Sequence, residues 1–168
     1  MLPGPAREMH PMFEQLVVPK LQAEGVFPEI DCYLQLRTAG IGESALAEKV
    51  EPMLKDKPGL VVGYCAHAGM VDLRLSSLDS DILSEEELHK IGDDCRKELG
   101  EDFACFGERT LAEIIFRELR SLDKTLAIAE SCTGGLLSSH FTEIPGISKV
   151  FQGGAVCYHN DAKVQMLD

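Results

Sequence analysis

Apolar and polar positions change rhythm several times along this 168-residue chain. In the first segment Met12, Phe13, Leu16, Val17 and Leu21 recur at near-helical spacing behind a Pro/Gly-rich start, which predicts a terminal helix within residues 1–28. From Asp31 the rhythm becomes two-fold, and "CYLQLRTA" predicts a strand. "GIGESALAEKVEPMLK" supplies a glycine turn and then a helix, with Ser44 as its cap and Leu46, Val50 and Leu54 on one face. "GLVVGYCAHAGMVDLRLSS" predicts two strands about a His-Ala-Gly turn. "SEEELHKIGDDCRKELG" predicts a helix opened by a capping box of Ser84 and Glu87, with Leu88, Ile91 and Cys95 as its buried stripe. "DFACFGE" closes the series as a last strand.

The order β-α-β-β-α-β suits a small α+β sandwich over residues 29–107. A different pattern runs over residues 108–168. Leu111, Ile114, Ile115, Leu119 and Leu122 fall at helical spacing, "TLAIAE" reads as a short strand and "GGLLSSHFTEI" as a helix. "GGAVCYH" then reads as a second strand and "NDAKVQML" as the start of another helix. Strands alternating with helices indicate a parallel α/β layer. Two strands bury little on their own, so this region is expected to be the front part of a larger domain. The fold class is therefore α+β, a sandwich followed by a partial parallel α/β domain.

Composition narrows the function. With 45% hydrophobic and 26% charged residues the chain reads as globular, and no apolar run approaches the roughly 20 residues a bilayer requires. Six scattered cysteines without a CxxC pair, behind a start that lacks a signal-peptide pattern, predict free thiols and a cytoplasmic location. A net charge of −12 with no basic patch argues against a nucleic-acid partner. Acidic residues crowd positions 79–102, where a solvated helix face is the simplest account. Cys65 and His67 share a strand face, but two residues do not make a zinc site, and no metal or cofactor is expected.

Candidate chemistry concentrates in "TLAIAESCTGG". Open α/β proteins bind ligands beside the carboxyl ends of their strands, where helix amides carry partial positive charge. Ser131 and Thr133 put hydroxyls at that place, and Gly134 and Gly135 allow close approach to the backbone. The spacing is not that of a Walker phosphate loop, and the same residues also suit plain helix capping. "AVCYHNDAK" then brings Tyr158 and Asn160 to the end of the second strand, with Lys163 in the first turn of the following helix. Positive amides nearby favour the neutral amine that a general base needs, and serine deprotonated by lysine is an established nucleophile arrangement. Cys132 is a rival nucleophile with no histidine at an obvious partner position.

"LPGPAREMHPMF", "RTAGIGESALAE", "AESCTGG" and "PGISKVFQGGAVCYHNDAK" together resemble the CinA family of competence/damage-inducible proteins, in the same order along essentially the whole chain. The resemblance implies that residues 1–28 are the end of a molybdopterin-binding-like domain, that 29–107 form the middle domain, and that 108–168 begin a nicotinamide mononucleotide (NMN) amidohydrolase domain. The ADP-ribose pyrophosphatase activity associated with the first domain is not expected. By resemblance Ser131 attacks the carboxamide of NMN, Lys163 takes and returns the proton, and Tyr158 orients the pair. Thr133, Gly134 and Gly135 hold substrate or an oxyanion, with Asn160 a weaker contributor. NMN is then the small-molecule partner, and a homo-oligomer is the expected route by which so short a layer forms a working site. A non-catalytic nucleotide-binding or association module is the alternative, and a DNA-associated competence factor is disfavoured by the charge.

Overall fold

The computed structural model describes residues 4–26, 30 and 32–167. Pro3 of the N-terminal turn and the last residues of the first predicted segment lie outside them. That segment is helical, as α1 (Ala6–Met12), a π-helical turn over Phe13–Val17, and α2 (Val18–Ala23). Pro11 sits just before the π turn, where its missing N–H interrupts the regular ladder. Met12, Phe13 and Leu16 are all exposed.

The middle of the chain forms the predicted β-α-β-β-α-β series: β1 (Cys32–Ala39), α3 (Glu43–Leu54), β2 (Leu60–His67), β3 (Met70–Ser77), α4 (Glu85–Leu99) and β4 (Phe103–Phe106). The four strands make one antiparallel sheet in the order β2-β3-β1-β4, with β1 at the centre between β3 and β4. Leu34 and Leu36 of β1 and Val71, Leu73 and Leu75 of β3 turn to one face. There they meet Leu46, Val50 and Leu54 of α3 and Leu88, Ile91, Cys95 and Leu99 of α4. Burial of these side chains contributes about 1.5–3 kcal/mol each before the entropy of ordering is counted.

The helix starts differ in their chemistry. The Ser84–Glu87 capping box is formed, the Ser84 side chain accepting from the Glu87 N–H while Glu87 Oε2 accepts from the Ser84 N–H at 3.1 Å. For α3, however, the cap is Gly42 and no side chain caps it, so Ser44 lies within the first turn instead of before it. The acid of Glu43 already stands at the positive end of that helix.

The alternation in β1 predicts a strand with one solvated face, yet Gln35 and Arg37 on the opposite face are also buried. The connector after β4 covers them. Gly107 N–H donates to the Gln35 carbonyl at 2.8 Å, and Arg37 Nη1 donates to the carbonyls of Glu108 and Arg109 at 2.8 and 2.7 Å. Arg37 also grips Asp72 with Nε and Nη2, at 2.7 and 2.8 Å, in a two-pronged pair. Hydrogen bonding to Asp72 raises the Arg37 pKa, and hydrogen bonding to Arg37 lowers that of Asp72.

Beyond the connector come α5 (Leu111–Ser121), β5 (Leu126–Glu130), α6 (Leu136–Thr142), β6 (Phe151–Val156) and α7 (Asn160–Leu167). β5 and β6 pair in parallel, as the strand–helix alternation predicts. A second core lies on one side of them, where Phe141, Ile147 and Val150 are met by Ala112, Phe116 and Leu119 of α5. Of the apolar stripe predicted for α5, Ile115 and Leu122 remain exposed. On the strands an open groove is lined by residues 127–129 and 152–155 together with Leu167.

Candidate functional site

Ser131 follows immediately on the last residue of β5, and Tyr158 stands two residues beyond β6. The strand ends are locked together, because Glu130 pairs with Val156 and the Cys157 N–H donates to the Glu130 carbonyl at 2.7 Å. With strands roughly 4.8 Å apart, Ser131 and the segment carrying Tyr158 leave the layer side by side. Lys163 lies in the first turn of α7, its N–H donating to the His159 carbonyl at 3.1 Å, so it belongs to the same end. Ser131 is half-buried, while Lys163, Asn160 and Tyr158, the last 74% exposed, are open to solvent. No hydrogen bond joins Ser131 to Lys163 or Tyr158 among the described residues. Catalytic hydrogen bonds are commonly long without substrate and tighten in the complex.

Strand β6 ends at Val156, three residues before the sequence pattern places it. Tyr158 therefore sits in the connection to α7, where its ring is free of the sheet. Asn160 opens α7.

Helix α6 also begins later than expected. Ser131 and Thr133 are not its caps, because residues 131–134 form a turn and Gly135, at φ 102°, takes the capping position. Gly134, at φ 61°, is likewise in the left-handed region, which explains the glycine pair physically. The turn is closed by Gly134 N–H to the Ser131 carbonyl and by Leu136 N–H to the Thr133 carbonyl, both at 3.1 Å.

Pattern reading missed the group that caps the helix. Glu130 is 4% exposed, and its carboxylate accepts from the amides of Gly135, Leu137 and Ser138 at 3.1, 2.9 and 2.9 Å, and from the Ser138 hydroxyl. The Gly135 amide is thus engaged within the protein, as the Gly134 amide is with the Ser131 carbonyl, although Thr133 and Gly134 of the predicted binding set both lie on the exposed turn. The hydrogen bond from the Ser138 hydroxyl, helped by backbone amides and the Thr133 side chain and opposed by desolvation, draws the Glu130 carboxyl down to about 2. The available signal was an acid at the end of an apolar strand followed by "SCTGGLLSS", whose glycines let the chain fold back on it.

Ser138 occupies its place because β6 is bare opposite it. A Cβ on Gly154 would collide with the Ser138 hydroxyl and lie 3.2 Å from its Cβ. Gly154→Ala is expected to destabilise the protein by about 1–3 kcal/mol through overpacking. Chemical denaturation is the check, and an unchanged midpoint would show that α6 yields without cost.

None of the six cysteines, all of them among the described residues, is joined in a disulfide. Cys132 is exposed on the turn beside Ser131, while Cys157 is buried with Sγ 3.9 Å from Met166 Sδ. No group of three or more metal-ligating side chains occurs among the described residues. His67 Nε2 lies 3.1 Å from Asp72 Oδ2, so that histidine joins the Arg37–Asp72 pair. No helix among the described residues is long and apolar enough to cross a membrane.

Family models match both the stretch that holds the β-α-β-β-α-β unit and the stretch that holds the parallel layer. The chain belongs to the CinA family: the damage-inducible protein CinA KH domain model matches residues 35–107, and the CinA C-terminal domain model matches 108–168. It is 37% identical to the CinA-like protein of Dictyoglomus thermophilum over the whole of this chain and 41% of that protein. With the CinA-like protein of Nostoc punctiforme the identity is 42% over 98% of this chain and 40% of the other. The chain thus spans about two fifths of the length of the curated relatives it matches. Among solved structures it is similar to the competence/damage inducible protein CihA from Agrobacterium tumefaciens. That likeness has 46% identity over 33% of this chain and 34% of that one, with a TM-score of 0.33.

Proposed function

We propose that the chain carries the nucleophile and base of a nicotinamide-nucleotide amidohydrolase, which converts NMN and water to nicotinate mononucleotide and ammonia. The observation that supports this most is the meeting of Ser131, Tyr158 and Lys163 at one end of the β5–β6 layer, within the residues matched by the CinA C-terminal model. In this reading Lys163 accepts the Ser131 proton as Oγ attacks the carboxamide carbon. Amides of Cys132 and Thr133 face the developing oxyanion, the Gly134 amide being held by the Ser131 carbonyl, and Tyr158 orients the lysine. The proton returns to the leaving nitrogen as ammonia departs. Water then attacks the acyl-enzyme, and Lys163 serves again as base and acid to release the carboxylate. Both edges of the two-stranded layer lack a strand partner among the described residues, and assembly as a homo-oligomer is part of this reading.

The test is ammonia release from NMN by the full chain and by Ser131→Ala. Serine-dependent release supports the amidase. Equal release by the two, or none from folded wild type, overturns it and favours a non-catalytic nucleotide-binding or association module. Nucleic-acid binding through the middle unit has little support despite the KH name of its family model. The sequence contains no GxxG backbone clamp, and the net charge is −12.

A further inference from the structure

Glu130 bears on the site in a way that neither the motif nor the family match assigns. It binds both halves of the Ser131 neighbourhood at once. Its side chain collects the amides of Gly135, Leu137 and Ser138, so residues 131–134 are strung as a closed loop between a strand end and a helix start that share one carboxylate. Its main-chain carbonyl holds the Cys157 N–H, one residue before Tyr158. Through Ser138, whose hydroxyl it also receives, it fixes the face of α6 that rests on Gly154 of β6.

We propose that Glu130 is the positioning residue of the Ser131 nucleophile, setting the 131–134 turn against the strand that carries Tyr158 and Lys163. The inference rests on the amidase reading above and adds a residue to it. Proton transfer is not its task. A carboxyl drawn down to about 2 and buried under amide donors stays ionised at any working pH, and it accepts hydrogen bonds only. The charge is spread onto three amides and the positive end of α6, which limits its opposition to negative charge developing at Ser131. Glutamine has the same length but presents an NH2 group to one side of an all-donor cluster, so Glu130→Gln leaves donors facing donors and loosens the turn.

A serine-directed alkyl phosphonyl fluoride separates positioning from mere stability. Ser131 Oγ forms a bond to phosphorus, fluoride leaves, and the serine proton passes to the base. The readouts are the rate constant and the final stoichiometry of labelling at Ser131, followed by mass spectrometry over a range of pH. Wild type is expected to label to one group per chain. Glu130→Gln is expected to reach the same stoichiometry with a rate constant on the order of 100-fold lower, the size of effect that a misplacement of about 1 Å produces. The midpoint of the pH dependence should not move, because the group being replaced does not titrate there.

Labelling of Glu130→Gln at the wild-type rate overturns the proposal. So does a fall in stoichiometry with the rate per labelled chain unchanged, which is the mark of a purely structural role. Ser138→Ala removes one donor and keeps the carboxylate and its three amides. It is expected to slow labelling roughly ten-fold at full stoichiometry, an effect of intermediate size. An unchanged rate in that variant counts against the proposal even where Glu130→Gln does not fold. Wild type that stays unlabelled at Ser131 overturns the nucleophile reading and this inference with it, whereas labelled wild type with indifferent variants overturns this inference alone.

Discussion

Replacing Ser131 with alanine is expected to lower ammonia release from NMN by on the order of 10⁴-fold or more, the scale seen when a covalent nucleophile is removed and only binding and oxyanion contacts remain. Nothing beside it is placed to substitute well. Cys132 is exposed on the same turn, and Thr133 is exposed one residue further on. On the proposed mechanism Lys163→Met should cost on the order of 10²–10⁴-fold, because it would delete general-base and general-acid assistance but leave the hydroxyl in place. In the proposed mechanism the pair acts as a unit, so the double variant should be hardly slower than Ser131→Ala alone. Steady-state ammonia assays of the three variants decide the matter. A double variant whose losses simply multiply would mean that serine and lysine act in separate steps.

The second large effect concerns stability. Arg37→Ala is expected to destabilise the protein by about 3–5 kcal/mol, because it strands the Asp72 carboxylate without its main partner in a site that is 1% exposed. It also releases the Glu108 and Arg109 carbonyls from their shared donor. His67 remains in contact with Asp72 and offsets part of the loss. Replacing both partners with apolar residues, as in Arg37→Met with Asp72→Leu, should recover much of the stability, since the cost lies in one uncompensated buried charge. Denaturant titrations that show less than about 1 kcal/mol of loss for Arg37→Ala would place the pair among the weak surface ion pairs.

These two sites also show how far the sequence could be read. The first unit was legible because each element declares itself locally: two-fold alternation in β1 and β3, helical stripes in α3 and α4, and the Ser84–Glu87 box. The parallel pairing of β5 and β6 followed from strand–helix alternation, and the strand ends that carry Ser131 and Tyr158 could be placed together for the same reason. Arg37 and Asp72 were not legible as partners, because 35 residues separate them and either charge reads as solvent-facing on an alternating strand. Glu130 was hidden differently. An acid ending a strand resembles the start of a polar loop, and only the path of the backbone through Gly134 and Gly135 reveals that helix amides return to it. Ser44 misled because a serine after glycines is a common cap, yet Gly42 takes the position with no side chain engaged.

The segment joining the two units has one more consequence. A boundary between units is ordinarily where a protease enters first, since an extended and unoccupied backbone must fit its cleft. Trypsin would look for Arg109, whose scissile carbonyl is held by Arg37, with the carbonyl before it on the same nitrogen. The guanidinium that settles a charge within the sheet thereby also shields the chain at its natural breaking point, so limited digestion would leave the two units joined.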